Sequence, residues 1–469
     1  MSSVSSLNSL LSSTSGIDIS SILQAATGSS SSGIDVAAAV NASVTAAQAP
    51  EQNWEAQQAT LQSQANALTS LQTAATNLDN DVLALNNLSG PLSATLVSSS
   101  NSNLVTGSSA AGSAVGNAVV VVNSLATTAS WSSNTLANET TVLPPETFVI
   151  TTASGESATI TTGNGIDNLS DLTKAINSSN LGISANVIND ANGSRLAITS
   201  NTSGSASNFT VTSSDPSFSL TQAVAGANAS LTVNGISIAS ASNTVTGAVP
   251  GLTLNLLGAN PGTQVTLSVT HDTSQASTAI NQFVTDYNTL IGQLNTQFKD
   301  TGSGEGVLAS DSSVRNLQSE ILQALSYTAP PASGETTTTV PNLSSLGISV
   351  NSDGTLTVNS TTLNNALQNN YSDVQNLFQG KALNGFANSL DQQLTSFISP
   401  SDGAFTVDLK SLSSQYSSLQ DDINNFETNI ITPLRTQLQA SFSQAEIALQ
   451  QLPNEIKNVD AELGENNNN

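Results

Sequence analysis

The residue types that do acid–base or metal chemistry are few in this chain and poorly spaced for it. Cysteine is absent and histidine occurs once, at His271. That removes thiolate zinc sites, cysteine nucleophiles, disulfide scaffolds and paired imidazole ligands together. The tightest carboxylate groupings are Asp79 with Asp81 and Asp421 with Asp422. Side chains one or two positions apart do not share a helix face, so neither grouping makes an acid/base or metal pair, and both are expected on solvated helix surface. Asn351-Ser352-Asp353-Gly354 has the opening of a calcium loop without the glutamate at its last position, which predicts a plain turn. His271 follows the apparent strand Val265 to Val269 and precedes Asp272; an exposed strand-end histidine is expected there, with no serine or cysteine motif pointing at it. Trp54 and Trp131 offer sugar-stacking faces, but isolated tryptophans more commonly fill cores or interfaces. The expectation is a non-enzymatic protein with no cofactor and no metal.

Composition narrows the partners. The chain has 469 residues, room for roughly three domains at about 150 residues each. Its 33 Asp and Glu against 8 Lys and Arg give a net charge of −25, and no basic residue precedes Lys174. Nucleic acid and anionic lipid both require clustered cations, so both are excluded as expected partners. The same gap leaves no cationic start for a Sec signal or a mitochondrial presequence. No apolar run approaches the roughly 18 residues of a membrane span, so no membrane insertion is expected. Charged residues are only 9% of the chain, against about 25% in ordinary globular proteins. Ser, Thr, Asn and Gln must therefore supply the polar surface. Lack of cysteine suits work outside the cell without oxidative folding.

Whatever these residues do, helices at the two ends and strands in the middle must position them. From Leu61, the positions Leu61, Gln64, Leu68, Leu71, Ala75, Leu78, Val82 and Leu85 alternate spacings of three and four, the seam of a coiled-coil helix. Gly90-Pro91 stops it. Leu409, Leu412, Tyr416, Leu419, Ile423, Phe426 and Ile430 repeat the pattern, after which the apolar residues slip to spacings of four at Leu434, Leu438 and Phe442. Such a stutter unwinds a coiled coil locally, and Pro433 lies inside it, so a hinge is expected at Pro433. Ala445, Leu449, Leu452, Ile456, Val459 and Leu463 resume the heptad. Between about 93 and 274, short β-branched runs alternate with turns, and Asn192-Gly193, Asn234-Gly235 and, later, Asp353-Gly354 mark hairpins. The first 50 residues are Ser-rich, with Ser15-Gly16-Ile17-Asp18 echoed by Ser32-Gly33-Ile34-Asp35; a segment without a sustained seam is expected to stay mobile until docked.

Several segments, in order, resemble the flagellar hook-associated protein 2 family, the bacterial flagellar filament caps. Ser32-Gly33-Ile34-Asp35 is similar to its small-Gly-apolar-Asp signature, and Val121 to Ala126 to its strand ending in Leu-Ala. Leu169 to Asn177, Ala185 to Ile188 and Arg195 to Ser200 resemble the flagellin hook Ile-Asn motif, with Leu169, Leu172 and Ile176 on one helix face. Val233-Asn234-Gly235, Pro250 to Leu254 and Val269 to Asp272 resemble the second β region. Phe283 to Asn288, Leu346-Gly347-Ile348, Asp353 to Leu356 and Val374 to Gly380 follow the family's C-terminal half.

The fold class this implies is multidomain α+β: helical coiled-coil legs formed by the two chain ends, with β-rich domains inserted in the middle. The expected units are a mobile N-terminal segment 1–50, which shares a terminal domain with 434–469; a helical leg of 51–92 plus 275–433 with a small hairpin; a β-rich domain of 93–128 plus 229–274; a second at 129–228 with the Ile-Asn motif; and a C-terminal coiled-coil segment 434–469. The resemblance implies a secreted homo-oligomeric ring at the distal filament tip that promotes folding and polymerisation of exported flagellin. Its partners would be further copies of itself, flagellin, the hook-filament end, the flagellar type III export apparatus and an export chaperone. Leu61, Leu68, Leu71, Leu78, Leu85, Leu438, Phe442, Leu449, Leu452, Ile456, Val459 and Leu463 are expected to form the assembly and coiled-coil interface, Leu61 to Leu85 with Leu409 to Ile430 also making a domain core, and the hinge is expected at Pro433. The alternative is an extracellular adhesin that binds host or surface glycans through its β domains, with Trp131 in the 129–228 unit.

Overall fold

The computed structural model describes residues 35–215, 217–299, 306–331 and 337–465. Helices α1 (Val36–Ala47) and α2 (Ala49–Asn86) come first. Then follow strands β1 (Thr95–Ser99), β2 (Val105–Ser109), β3 (Gly116–Ser124), β4 (Ser130–Ser133), β5 (Thr147–Thr152) and β6 (Ser157–Thr161), helix α3 (Leu169–Asn177), and strands β7 (Ile183–Asp190), β8 (Gly193–Ser200), β9 (Phe209–Ser213), β10 (Leu220–Val224), β11 (Ala229–Val233), β12 (Ile236–Ser240), β13 (Thr244–Val249), β14 (Leu252–Leu256) and β15 (Val265–His271). The chain returns to helix in α4 (Thr273–Phe298), α5 (Ser312–Ala324), α6 (Ser360–Asn369), α7 (Tyr371–Gln379), α8 (Phe386–Ile398), α9 (Ala404–Phe426) and α10 (Thr432–Glu465). A two-stranded hairpin, β16 (Ile348–Val350) with β17 (Leu356–Val358), sits among the helices.

Among the described residues three hydrophobic cores are built in nested order, and a fourth, small cluster joins α1 to the C-terminal helix. The helical core gathers Leu68, Leu71, Leu78, Val82 and Leu85 of α2 around Phe283 and Tyr287 of α4 and Phe378 and Phe386 beyond. The first β core, from Val105 to Val269, lies between a five-stranded sheet ordered β1-β15-β3-β11-β12 and a three-stranded sheet ordered β13-β14-β2. Inserted within it, residues 129–220 form the second β core, where α3 packs Leu169, Leu172 and Ile176 on the sheets. Each junction is crossed twice, side by side. At the first, β1 pairs antiparallel with β15, Thr95 opposite His271. At the second, Thr127 bridges Ala227. An insertion whose two ends are hydrogen-bonded together leaves its host's fold undisturbed.

In a chain so poor in charge, asparagine does much of the fastening. Four asparagine side chains clasp the backbone of one distant residue at both its N–H and its C=O, as a neighbouring strand would. Asn177 binds Ala185 (2.7 and 3.0 Å), Asn208 binds Gly226 (2.9 and 2.7 Å), Asn243 binds Ala126 (2.7 and 3.0 Å) and Asn288 binds Leu356 (2.6 and 2.8 Å). An amide carries one acceptor and one donor side by side, which no carboxylate or hydroxyl reproduces. Asn288→Ala would strip both partners from the buried Leu356 backbone, and a loss of roughly 1–3 kcal/mol is expected in denaturant unfolding. Asn288→Asp, which retains only the acceptor, should recover little of it.

Departures from the sequence reading are local. Residues 36–47, expected in the mobile segment, form α1, because Asp35 Oδ1 caps Ala38 N at 3.0 Å and Val40 and Val44 find an apolar partner in the C-terminal helix. The rest of that segment, residues 1–34, lies outside the described residues. The hairpin at Asn192 turns one residue earlier than expected, since Asp190 and Gly193 already pair. Asn234-Gly235 turns as expected, with φ of 50° and 83°, left-handed geometry that glycine takes without strain. Asp79 and Asp81 are not solvated helix surface. Asp79 is buried and Asp81 half-buried, each in contact with a carboxyl group from another helix, Asp391 of α8 and Asp286 of α4. Asp421 and Asp422 are exposed, as expected.

Candidate assembly surface

The residues expected to mediate assembly divide into those consumed inside the chain and those left uncovered. Leu68, Leu71, Leu78 and Leu85 are 0–1% exposed within the helical core, so they cannot meet another subunit; the seam that predicted them is intramolecular because α4, α8 and α9 surround this part of α2. Leu61 lies farther towards the N-terminus of α2, where only α9 accompanies it, and with Ala65, Leu409, Leu412 and Tyr416 it lines an open apolar groove.

The C-terminal helix presents the larger surface. α9 passes through a π-helical segment, Glu427–Ile431, into α10 without a break in the helical path. The extra residue of a π turn absorbs the stutter read in the sequence, and Pro433, which has no N–H to donate, follows it directly. Pro433 therefore sits at the start of a continuous helix, and the departure from regular geometry lies just before it. Trp54 packs edge-on against Phe426 at 5.5 Å, and Ile431 is buried with Val40 and Val44. Leu438 and Phe442 lean, partly buried, on the same cluster.

Beyond Phe442 the apolar stripe continues without cover among the described residues. Leu449 and Leu452 are each 48% exposed and Ile456 is 53% exposed. Among the described residues α1, with 12 residues and about 18 Å of helix, accompanies only part of α10, with 34 residues and about 51 Å. Burying such side chains is worth on the order of 1.5–3 kcal/mol each. The side chains of Val459 and Leu463 lie outside the described residues.

The residues first considered for chemistry serve structure. His271 is not an exposed strand end; it is partly buried and stacks face to face on Tyr371 at 3.8 Å, where burial holds its imidazole below the usual range and its Nδ1 has no partner. Tyr371 in turn donates to the Leu92 carbonyl at 3.1 Å, so the stack seals the helical core against the first β core. The sequence signal missed here was Tyr371, exactly 100 residues from His271 and visible as a partner only in three dimensions. Trp131 Nε1 donates to the Phe209 carbonyl at 2.9 Å, and its ring borders a shallow groove with Asn208 and Gln222. Asp353 Oδ1 accepts from Thr355 N at 3.1 Å, completing the turn. Among the described residues no group of three or more His, Cys, Asp or Glu could hold a metal ion, and no helix is long and apolar enough to cross a membrane.

Comparison with known proteins agrees with this arrangement. Residues 226–454 match the family model described as flagellar hook-associated protein 2 C-terminus, residues 32–129 match its N-terminus, and residues 147–202 match the flagellin hook IN motif. The N-terminal match begins at Ser32, on the second of the two Ser-Gly-Ile-Asp copies, whose aspartate caps α1. The crystal structure of the flagellar cap protein FliD D1-D2-D3 domains from Escherichia coli is 28% identical and covers 74% of this chain and 99% of that one, with a TM-score of 0.59. The D2-D3 domains of the same protein are 30% identical over 38% of this chain and 100% of that one, with a TM-score of 0.34. FliD from Pseudomonas aeruginosa PAO1 is 25% identical over 42% and 98%, with a TM-score of 0.37. No curated protein sequence matches the chain.

Proposed function

Since this chain belongs to the flagellar hook-associated protein 2 family, we propose that it caps the distal end of a bacterial flagellar filament as a homo-oligomeric ring and promotes the folding and addition of exported flagellin. The observation that carries this reading is the uncovered stripe Leu449, Leu452 and Ile456 at the far end of a long helix. Among the described residues nothing covers it, so a neighbouring copy or the filament end gains by doing so. The nested β cores stand at the opposite end of the helical module and supply the plate; α2 with α9, α10 and α1 supply the leg. We read the units as 51–92 with 275–433, 93–128 with 229–274, and 129–228, with the terminal unit made from 1–50 and 434–469. The π segment before Pro433 is the hinge at which a leg adapts as the filament end advances beneath it.

Partners on this reading are further copies of the chain, flagellin, the hook-filament end, and the flagellar type III export apparatus with an export chaperone. No nucleotide drives the cycle; the work comes from flagellin folding and burial. The test is complementation: in a strain deleted for its own cap, this chain supplied with the flagellin of the same source should restore filaments. Flagellin shed as monomer despite normal secretion of the chain would overturn the proposal.

A further inference from the structure

The helix α2 carries four acidic residues, Glu51, Glu55, Asp79 and Asp81, and no basic one. Three of the four are packed against another carboxyl group: Glu51 against Glu427 of the π segment, Asp79 against Asp391 of α8, and Asp81 against Asp286 of α4. In each pair an oxygen of the α2 residue (Glu51 Oε2, Asp79 Oδ1, Asp81 Oδ2) is buried without a hydrogen-bond partner. An acceptor facing an acceptor in a water-poor site is repulsive, and one proton placed between them turns the contact into a charge-assisted hydrogen bond.

We propose that protons shared between these three carboxyl pairs clamp α2 into the helical module, so that the module tightens in mild acid and loosens as the medium turns alkaline.

Among the described residues, the elements packed on α2 bring no cation against the pairs. Of the elements packed on α2, α4 carries Asp286 alone, α8 carries Asp391 alone, α7 carries Asp373, α1 carries no charge, and α9 carries Asp408, Asp421, Asp422 and Lys410. Asp373 is engaged by the backbone N–H groups of Thr339 and Val340. Lys410 is exposed, and the ion pairs among the described residues, Lys174 with Asp171 and Arg195 with Asp190, lie in the second β unit. At this pair Glu427 Oε1 accepts from Gln48 Nε2 at 2.7 Å, and Gln48 also hydrogen-bonds Glu51, so an amide, not a cation, is the neighbouring donor. The pairs occupy both ends of α2, about 42 Å apart at about 1.5 Å per residue. One end is the π segment, so the same protonation stiffens the joint as well as the bundle.

The direction with pH follows from the shifts. Burial first, then the facing carboxylate, raises Asp79 and Asp81 to about 7 and raises Glu51 as well. Groups raised on folding stabilise fully below their unfolded values and lose that contribution as pH climbs through the folded ones. His271 is shifted down by burial, so its contribution is lost on the acid side and cannot produce an alkaline decline. Glu146 is also raised by burial, but it lies in the second β unit and leaves the helical signal alone.

The experiment is thermal unfolding of the full chain, followed at the helical far-ultraviolet dichroism band, between about pH 5.5 and about pH 8.5 at fixed ionic strength. The wild type should lose roughly 5 °C or more in Tm towards the alkaline end. The variant E51Q/D79N/D81N, whose amides donate permanently to the facing carboxylates, should lose less than half of that and exceed the wild type in alkali. Should that variant fail to fold, the reciprocal E427Q/D391N/D286N serves equally, and the infrared C=O stretch of protonated carboxyl near neutral pH, weaker in either variant than in the wild type, reads the shared protons directly. A wild type flat across this range, an unchanged slope in both variants, or an alkaline loss cancelled by calcium in the wild type alone would overturn the clamp, the last by showing a bridging cation instead.

Discussion

The triple variant L449Q/L452Q/I456Q should fold like the wild type and fail completely as a cap. Glutamine is a helix former comparable to leucine, and these side chains are about half exposed within the chain, so far-ultraviolet dichroism and melting should stay within experimental scatter. What disappears is the apolar surface offered to a neighbour. Since each side chain is already about half covered, its further burial is worth about half of the ~1.5–3 kcal/mol of full burial, so a ring or filament contact loses roughly 2–5 kcal/mol per copy, about two to three orders of magnitude in affinity. Complemented cells should export flagellin without extending filaments. Removal of 434–469 gives the same loss of capping but is less discriminating, since it also uncovers Val40, Val44 and Ile431, which Leu438 and Phe442 shelter. Normal filaments from the triple variant would remove the stripe from the capping reading while leaving the helical core intact.

Phe283→Ala should unfold the helical module while sparing the β units. Phe283 is 0% exposed and lies 6.2 Å from Tyr287, 6.4 Å from Phe378 and 5.8 Å from Phe386, at the meeting point of α4, α7 and α8. Its loss leaves a cavity that three rigid rings cannot collapse to fill, a cost of about 3–5 kcal/mol. That is a third or more of the total of many domains, about 5–15 kcal/mol. The two β cores share no buried residue with the helical core, so calorimetry should split into an early helical transition and a late β one, and limited proteolysis should release a fragment spanning about residues 95–271. A single transition displaced by under about 2 °C would show that the modules melt as one and that the site repacks.

The elements themselves were legible from periodicity. Spacings of three and four at Leu61 to Leu85 and at Leu409 to Ile430 mark helices because one face of a 3.6-residue turn must meet a core. Asn234-Gly235 marks its hairpin because left-handed backbone favours those residues. What periodicity cannot assign is the partner. The same α2 seam that reads as a coiled-coil surface is spent on the chain's own core at Leu68, Leu71, Leu78 and Leu85 and left open at Leu61, and nothing in the heptad distinguishes the two ends. Among the described residues only packing shows that α10 is covered at Leu438 and Phe442 and uncovered at Leu449, Leu452 and Ile456.

From its order of residues alone, then, the chain determines which segments are helix and which are strand, that its surface is amide and hydroxyl in place of charge, and that cations are too scarce to balance its acids. Local backbone energetics and the 3.6- and 2-residue periods act within a few residues, so they are written in the sequence. Tertiary structure alone decided that Asn177, Asn208, Asn243 and Asn288 act as strand mimics, that His271 stacks on Tyr371, and that Asp79 and Asp81 face acids more than 200 positions away. Those contacts depend on the relative placement of whole packed elements, a global minimum in which each short-range preference is only one small contribution.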